Sequence, residues 1–340
     1  MKIARKFICL LLVFLSACTT PAVIPSSIPI STAVSQAQSF SSIPTVDAKL
    51  LSTPTVLVFP TPIPAAETQT STPEATHVEM QNRTSVLTST PIPIPIPSRL
   101  PAEKWQQWPV IPELTSRTYA IYRQGLAQGL APHSFAKVGD CQFINAAFFG
   151  IYDKPGGYAF PQGYEYLQQT VDWFTGYFNR ESQAVRSGFN VASVLTPLQA
   201  DPKICLTGET PIACEFRLTR PGIALISMET GFEGRTAAVY EKYMRRIIEY
   251  TISQGVVPIL ATKADNFEGD HSINLTTAKL AVEYDIPLWN FWSAVQPLPD
   301  HGMDISRPDN FHISVEAWNV RSFTGLQALD AIWRGVFKSK

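Results

Sequence analysis

Residues 222–228 read Gly-Ile-Ala-Leu-Ile-Ser-Met and residues 256–261 read Val-Val-Pro-Ile-Leu-Ala. Unbroken apolar runs of this length predict strands covered on both faces, as in parallel sheets. Between them Val239, Tyr243, Ile247 and Thr251, flanked by Tyr240, Met244, Ile248 and Ile252, recur at helical spacing until Gly255 stops the pattern. Strand, helix and strand in succession make a βαβ unit, whose two strands must run parallel.

The same alternation extends in both directions. Phe135-Ala-Lys-Val-Gly139 predicts a first strand that ends at Asp140-Cys141, and Phe189 to Leu195 a weaker second one. Downstream, Ile273 to Tyr284 predicts a helix and Ile286 to Trp292 a strand. A closing helix is expected from Ser314 to Phe337, with Val315, Trp318, Phe323, Leu326, Leu329 and Trp333 on its inner side. The expected architecture is a three-layer α/β/α sandwich with a mostly parallel central sheet. Chemistry in such sheets gathers at the carboxyl ends of the strands. That singles out Asp140-Cys141, Glu229-Thr230, Lys263-Ala-Asp265 and the segment before the closing helix.

The amino-terminal region is of another kind. All 18 glycines lie after residue 124, and residues 19–98 are rich in Pro, Ser and Thr, ending in Pro91-Ile-Pro-Ile-Pro-Ile-Pro97. Such a composition buries too little apolar surface to offset its conformational entropy, so residues 18–100 are expected to form a disordered stalk and residues 101–340 the globular domain. Lys2, Arg5 and Lys6 precede a short apolar run, Phe7 to Phe14, as in a signal peptide spanning residues 1–17. The following Leu15-Ser-Ala-Cys18 resembles the lipobox of bacterial lipoproteins, which implies lipidation of Cys18 and an extracytoplasmic, membrane-anchored chain. A net charge of −1 with no basic run beyond the amino terminus argues against a nucleic-acid partner.

Of five cysteines, Cys9 falls in the signal peptide and Cys18 at the lipidation site. Cys205 and Cys214 bracket a short Gly- and Pro-containing loop and are expected to pair as a disulfide in an oxidising compartment. Cys141 is left as a lone thiol at a strand end. Near the carboxyl end, Asp309 stands three residues before His312, a spacing that lets a carboxylate orient an imidazole.

Gly139-Asp140-Cys141 after the first strand and Asp309-x-x-His312 before the last helix resemble, in order and placement, the motifs of the SGNH/GDSL hydrolase family, whose sheet is flavodoxin-like. The resemblance implies an ester hydrolase with Cys141 as nucleophile, His312 as base and Asp309 as its orienting acid. It also implies an oxyanion hole from the backbone of Cys141 and of Gly188 in Ser187-Gly188-Phe189-Asn190. The expected substrates are acyl esters of glycans or lipids, attacked by a monomer without metal or cofactor.

Two departures stand out: the nucleophile is Cys rather than Ser, and the third block, Ser227-Met-Glu-Thr-Gly-Phe232, lacks the family's Asn. Thr230 is a candidate replacement donor. A hydrolase scaffold that binds without turnover is the alternative. Asp265, Asp270 and His271 are weighed as a metal site and set behind a plain loop at the rim of the cleft. Trp289, Asn290 and Trp292 are open to two uses, stacking on a sugar ring or packing in the core.

Overall fold

The computed structural model describes residues 99–228 and 236–338. Cys18, the expected stalk as far as Ser98, and Glu229-Thr230 lie outside them; at the stalk's end Arg99 donates to Ala281 O and Ile286 O, so the domain begins by residue 99 rather than 101. Strands β1 (Ala131–Gly139), β2 (Pro221–Ser227), β3 (Val257–Ala261) and β4 (Leu288–Trp289) form one parallel sheet in the order β1-β2-β3-β4. The helices are α1 (Ser116–Ala127), α2 (Gln168–Trp173), α3 (Pro211–Thr219), α4 (Ala237–Ser253), α5 (Ser272–Glu283), α6 (Phe291–Val295) and α7 (Val315–Lys338). The α/β sandwich expected from the sequence is the observed fold.

Right-handed crossovers between successive parallel strands place α4 and α5 on one face, where Tyr240 and Thr277 share a hydrogen bond of 3.0 Å. The other face carries α7. There Arg321 donates to Ser227 Oγ of β2 at 2.7 Å, and Trp289 Nε1 of β4 donates to Thr324 Oγ1 at 3.1 Å. The Arg321 guanidinium is fully buried among the rings of Phe143, Phe148, Trp289 and Phe291, 4.6–5.9 Å from their centroids. Helix α1 meets the lower end of the sheet. A Cβ on Gly125 would lie 2.2 Å from the Gly255 carbonyl oxygen, so only glycine allows that approach.

The structure corrects three expectations. Residues 189–195 are not a strand, because the Asn190 side chain accepts from Ala192 N and Ser193 N and turns the chain into a 3₁₀ turn over Ser193–Leu195. What pairs with β1 on that side is a single bridge between Gly139 and Val185. The strand expected from Ile286 to Trp292 is only Leu288–Trp289, since Asn290 caps α6 through Ser293 N at 3.4 Å. Val315, assigned to the inner side of the closing helix, is 69% exposed because it sits in the first turn, before α7 reaches the sheet. The other five side chains of that stripe pack on the core.

Cys205 and Cys214 form the expected disulfide, with Cα atoms 5.3 Å apart. Closing so short a loop contributes about 2–3 kcal/mol by restricting the unfolded chain. Among the described residues no helix is long and apolar enough to cross a membrane.

Candidate active site

At the carboxyl end of β1 the chain leaves the sheet through Asp140, whose Oδ1 accepts from Gln142 N at 2.9 Å and caps the single 3₁₀ turn Cys141–Phe143. That turn lifts Cys141 out of the sheet, so the thiol is partly exposed rather than packed into the core. The second half of the site comes from the loop before α7. Asp309 Oδ1 accepts from Phe311 N and His312 N at 3.1 and 3.0 Å, which folds the loop back on itself. Its other oxygen, Oδ2, lies 3.0 Å from His312 Nδ1. Cys141 Sγ then lies 3.9 Å from His312 Nε2, joining residues 171 positions apart.

The three side chains predicted to form the triad are therefore in line: sulfur, imidazole, carboxylate. A sulfur-to-nitrogen distance of 3.9 Å is a long contact, of the kind that shortens when a substrate seats between the groups.

Burial alone would push the Asp309 carboxyl up. The opposing hydrogen bonds from His312 N and Phe311 N, the His312 charge and the Arg307 guanidinium at 3.1 Å hold it down at about 2. A carboxyl lowered in this way stays ionised through the whole range in which an imidazole titrates, and its contribution to the loop is lost only as pH falls towards 2. Asp309→Asn keeps the shape but removes the charge that fixes the Nδ1–H tautomer. Its expected effect on ester turnover is a fall in kcat of about 10–100-fold, less than in fully buried triads because Asp309 is 35% exposed. The acid limb of the pH–kcat profile would not move if Asp309 merely shaped the loop, so that profile is the measurement to make.

Sequence reasoning missed the group that holds the two halves together. Gln142, fully buried, donates through Nε2 to Phe311 O at 2.9 Å and accepts at Oε1 from Trp318 Nε1 at 3.2 Å. No spacing rule marks it, because its partners lie in distant segments.

Gly188 sits in an exposed turn with φ +82°. Its segment is tied to β1 by Gly139 N donating to Ala184 O at 3.0 Å and Ser182 Oγ donating to Lys137 O at 2.6 Å. The turn thus follows closely on a stretch paired with the strand that ends at the thiol. Thr230, the candidate replacement donor, lies outside the described residues.

The metal site weighed from the sequence does not assemble. Asp265 is bound by the buried Lys263 ammonium, which also meets Glu268, and Asp270 Oδ1 accepts from Ser272 N at 2.9 Å. One group among the described residues has metal-compatible spacing, Cys205, Glu209 and Cys214, but its sulfurs are joined as the disulfide. Trp289 and Asn290 are core residues, the latter donating to the carbonyls of Trp105 and Trp108 at 2.8 and 3.1 Å. Trp292 is partly exposed.

No protein-family model matches the sequence, and no curated protein does. Solved structures do. A member of the lipolytic protein G-D-S-L family from Veillonella parvula is 15% identical, with 57% of this chain and 96% of that one covered at a TM-score of 0.36. An acetyl-xylooligosaccharide esterase variant from Geobacillus stearmophilus is 12% identical, with coverages of 57% and 93% and a TM-score of 0.39. A two-domain esterase active on acetylated mannans is 14% identical, with coverages of 67% and 56% and a TM-score of 0.40. Values this low decide nothing about activity.

Proposed function

We propose that this chain is an ester hydrolase of the SGNH/GDSL type that works through a cysteine nucleophile, and that it acts outside the cytoplasm on acyl esters of glycans or lipids while tethered through Cys18. One observation carries the catalytic part: Cys141 Sγ faces His312 Nε2 at 3.9 Å while Asp309 Oδ2 holds the far side of the ring at 3.0 Å. The tether rests on the amino-terminal sequence alone.

In the first half-reaction Cys141 Sγ attacks the acyl carbon and its proton passes to His312 Nε2. The carbonyl electron pair moves onto oxygen, facing the backbone N–H groups of Cys141 and Gly188. The tetrahedral intermediate collapses, the ester oxygen takes the proton from His312 and leaves as an alcohol, and an acyl-thioester remains. Water then gives its proton to His312 as it attacks the thioester. The carboxylic acid departs and the thiol is restored.

An acyl-thioester is longer-lived at mildly acidic pH, where hydroxide is scarce, so it offers a direct test. The chain is mixed with an aryl acetate, quenched in acid and digested, and the peptide bearing Cys141 is weighed. An acetyl group on that peptide, removable by hydroxylamine, is the expected finding. Turnover with the acetyl group elsewhere, or no turnover on the aryl acetate and on acetylated oligosaccharides alike, would overturn the proposal.

A further inference from the structure

A cavity of about 400 Å³ is walled in part by the loop that carries Asp309 and His312, and the mechanism above makes no use of it. Its size lies within the range of about 300–1,000 Å³ typical of small-ligand pockets. Trp292 and His271 line it together with Gln296, Asp300, Asp304 and Asn310. The wall is continuous with the catalytic loop: Asn310 follows Asp309, Asp304 N donates to His312 O at 2.9 Å, and Met303 and Ile313 form an antiparallel bridge. A ligand seated in the cavity would therefore lie against the loop that carries the base.

The lining has a definite chemistry. The Trp292 ring is braced edge-on by Trp105 at 4.9 Å and by His271 at 5.8 Å, which fixes it as a rigid aromatic wall. Around it stand carboxamides and carboxylates, side chains that accept and donate in pairs to neighbouring hydroxyls. Among the described residues no lysine or arginine lines the cavity. Of its carboxylates, Asp265 is engaged by Lys263, while Asp304 Oδ1 accepts from Ser306 and Asp300 is exposed. The local field thus disfavours an anion. Four residues of the wall, His271, Asp300, His301 and Asn310, hold left-handed backbone with φ of 49–55° without being glycine. Such conformations persist where surrounding structure over-determines them, as at ligand clamps.

We propose that this cavity is a subsite for one pyranose ring, neutral or amino-substituted, of the glycan whose ester is presented to Cys141. Its placement relative to the chemistry rests on the hydrolase reading, but saccharide binding does not. An aromatic face for the apolar side of the ring and planar polar groups for its hydroxyls are both present. A uronate or phosphorylated ring would bring its charge against the carboxylates of Asp300 and Asp304.

The test uses the full chain with Cys141→Ala, so that nothing turns over, and follows binding of chitotetraose, deacetylated chitotetraose, xylotetraose and tetragalacturonate by saturation-transfer NMR and tryptophan fluorescence. At least one of the neutral or amino oligosaccharides is expected to bind about tenfold or more tighter than tetragalacturonate, and Trp292→Ala to weaken it about tenfold or more. Asp300→Asn, which keeps a side chain suited to the left-handed backbone there and removes the charge, is expected to narrow the gap by improving tetragalacturonate binding. Failure of every neutral and amino oligosaccharide to bind, or binding indifferent to both substitutions, overturns the subsite. Saccharide binding by a wild-type chain that hydrolyses no ester would sink the hydrolase reading and leave the subsite standing. Ester turnover without saccharide binding would do the reverse.

Discussion

Cys141→Ala is expected to lower kcat on an aryl acetate by on the order of 10⁴ or more, and His312→Ala by on the order of 10³–10⁴. Alanine at 141 removes the sulfur that would carry the acyl group, leaving whatever the backbone donors and the cleft supply. Loss of His312 removes two services at once, acceptance of the thiol proton and its return to the departing alcohol. The two residues act as a unit, so the double variant should be no slower than the Cys141→Ala chain, and the shortfall from additivity is the measurement that matters. Circular dichroism of each variant would show an intact fold, since the thiol is partly exposed and the imidazole sits on a surface loop. Rates that multiply instead of saturating would mean that sulfur and ring do not share one reaction.

The second large effect falls on stability. Trp289→Ala is expected to lower the free energy of unfolding by about 3–5 kcal/mol, the usual range for truncating a buried aromatic side chain. Trp289 is fully buried on the shortest strand, β4, where two residues of pairing with β3 cannot hold the edge unaided. Its ring lies 5.9 Å from Phe148 and 5.5 Å from Phe291, and the Arg321 guanidinium is 5.6 Å from its centroid. Truncation opens a void under α7 and removes one wall of the aromatic box around a buried charge. Thr324 keeps its bond to Val320 O at 2.8 Å, so the lost indole donor adds little to the cost. Trp289→Phe, which keeps most of the volume, should recover more than half of the loss. Urea unfolding followed by far-ultraviolet circular dichroism gives both numbers, and a loss below 1 kcal/mol for the alanine variant would show that the packing carries no such weight.

Much of this was legible in the chain. The runs at 222–228 and 256–261 could be nothing but buried parallel strands, and the structure has them at β2 and β3. Cys141, Asp309 and His312 could be singled out because each sits at a predictable place, a strand end or the turn before a long helix, and the structure brings the three side chains together. What failed was local. The residues from 189 to 195 carry the apolar alternation of a strand, yet Phe189, Val191 and Val194 bury themselves from a loop whose course Asn190 dictates through its own side chain. Asn290 did the same at the end of β4. In both places one carboxamide outweighed the propensity of its neighbours, as side chains that bond their own backbone do. Arg321 was invisible for another reason: in a helical pattern an arginine reads as surface, and only the aromatic residues brought in from two distant segments, 143–148 and 289–291, turn it inward. The cavity could not be read at all, since its wall is assembled from the loops after β3 and β4 and from the loop before α7.

The Gln142 amide, bonded to Phe311 O on one side and to the Trp318 indole on the other, sits next to the nucleophile itself. Its side chain ties the turn after Cys141 to the segment that carries His312, and so helps to hold the α-carbon of residue 141 at its distance from the ring. Sulfur makes a longer bond to carbon than oxygen does, and so reaches further across a fixed gap. A hydroxyl hung from the same scaffold would lie further from the nitrogen than the sulfur does, so Cys141→Ser would have to close a wider gap than the thiol before it could pass its proton to the ring.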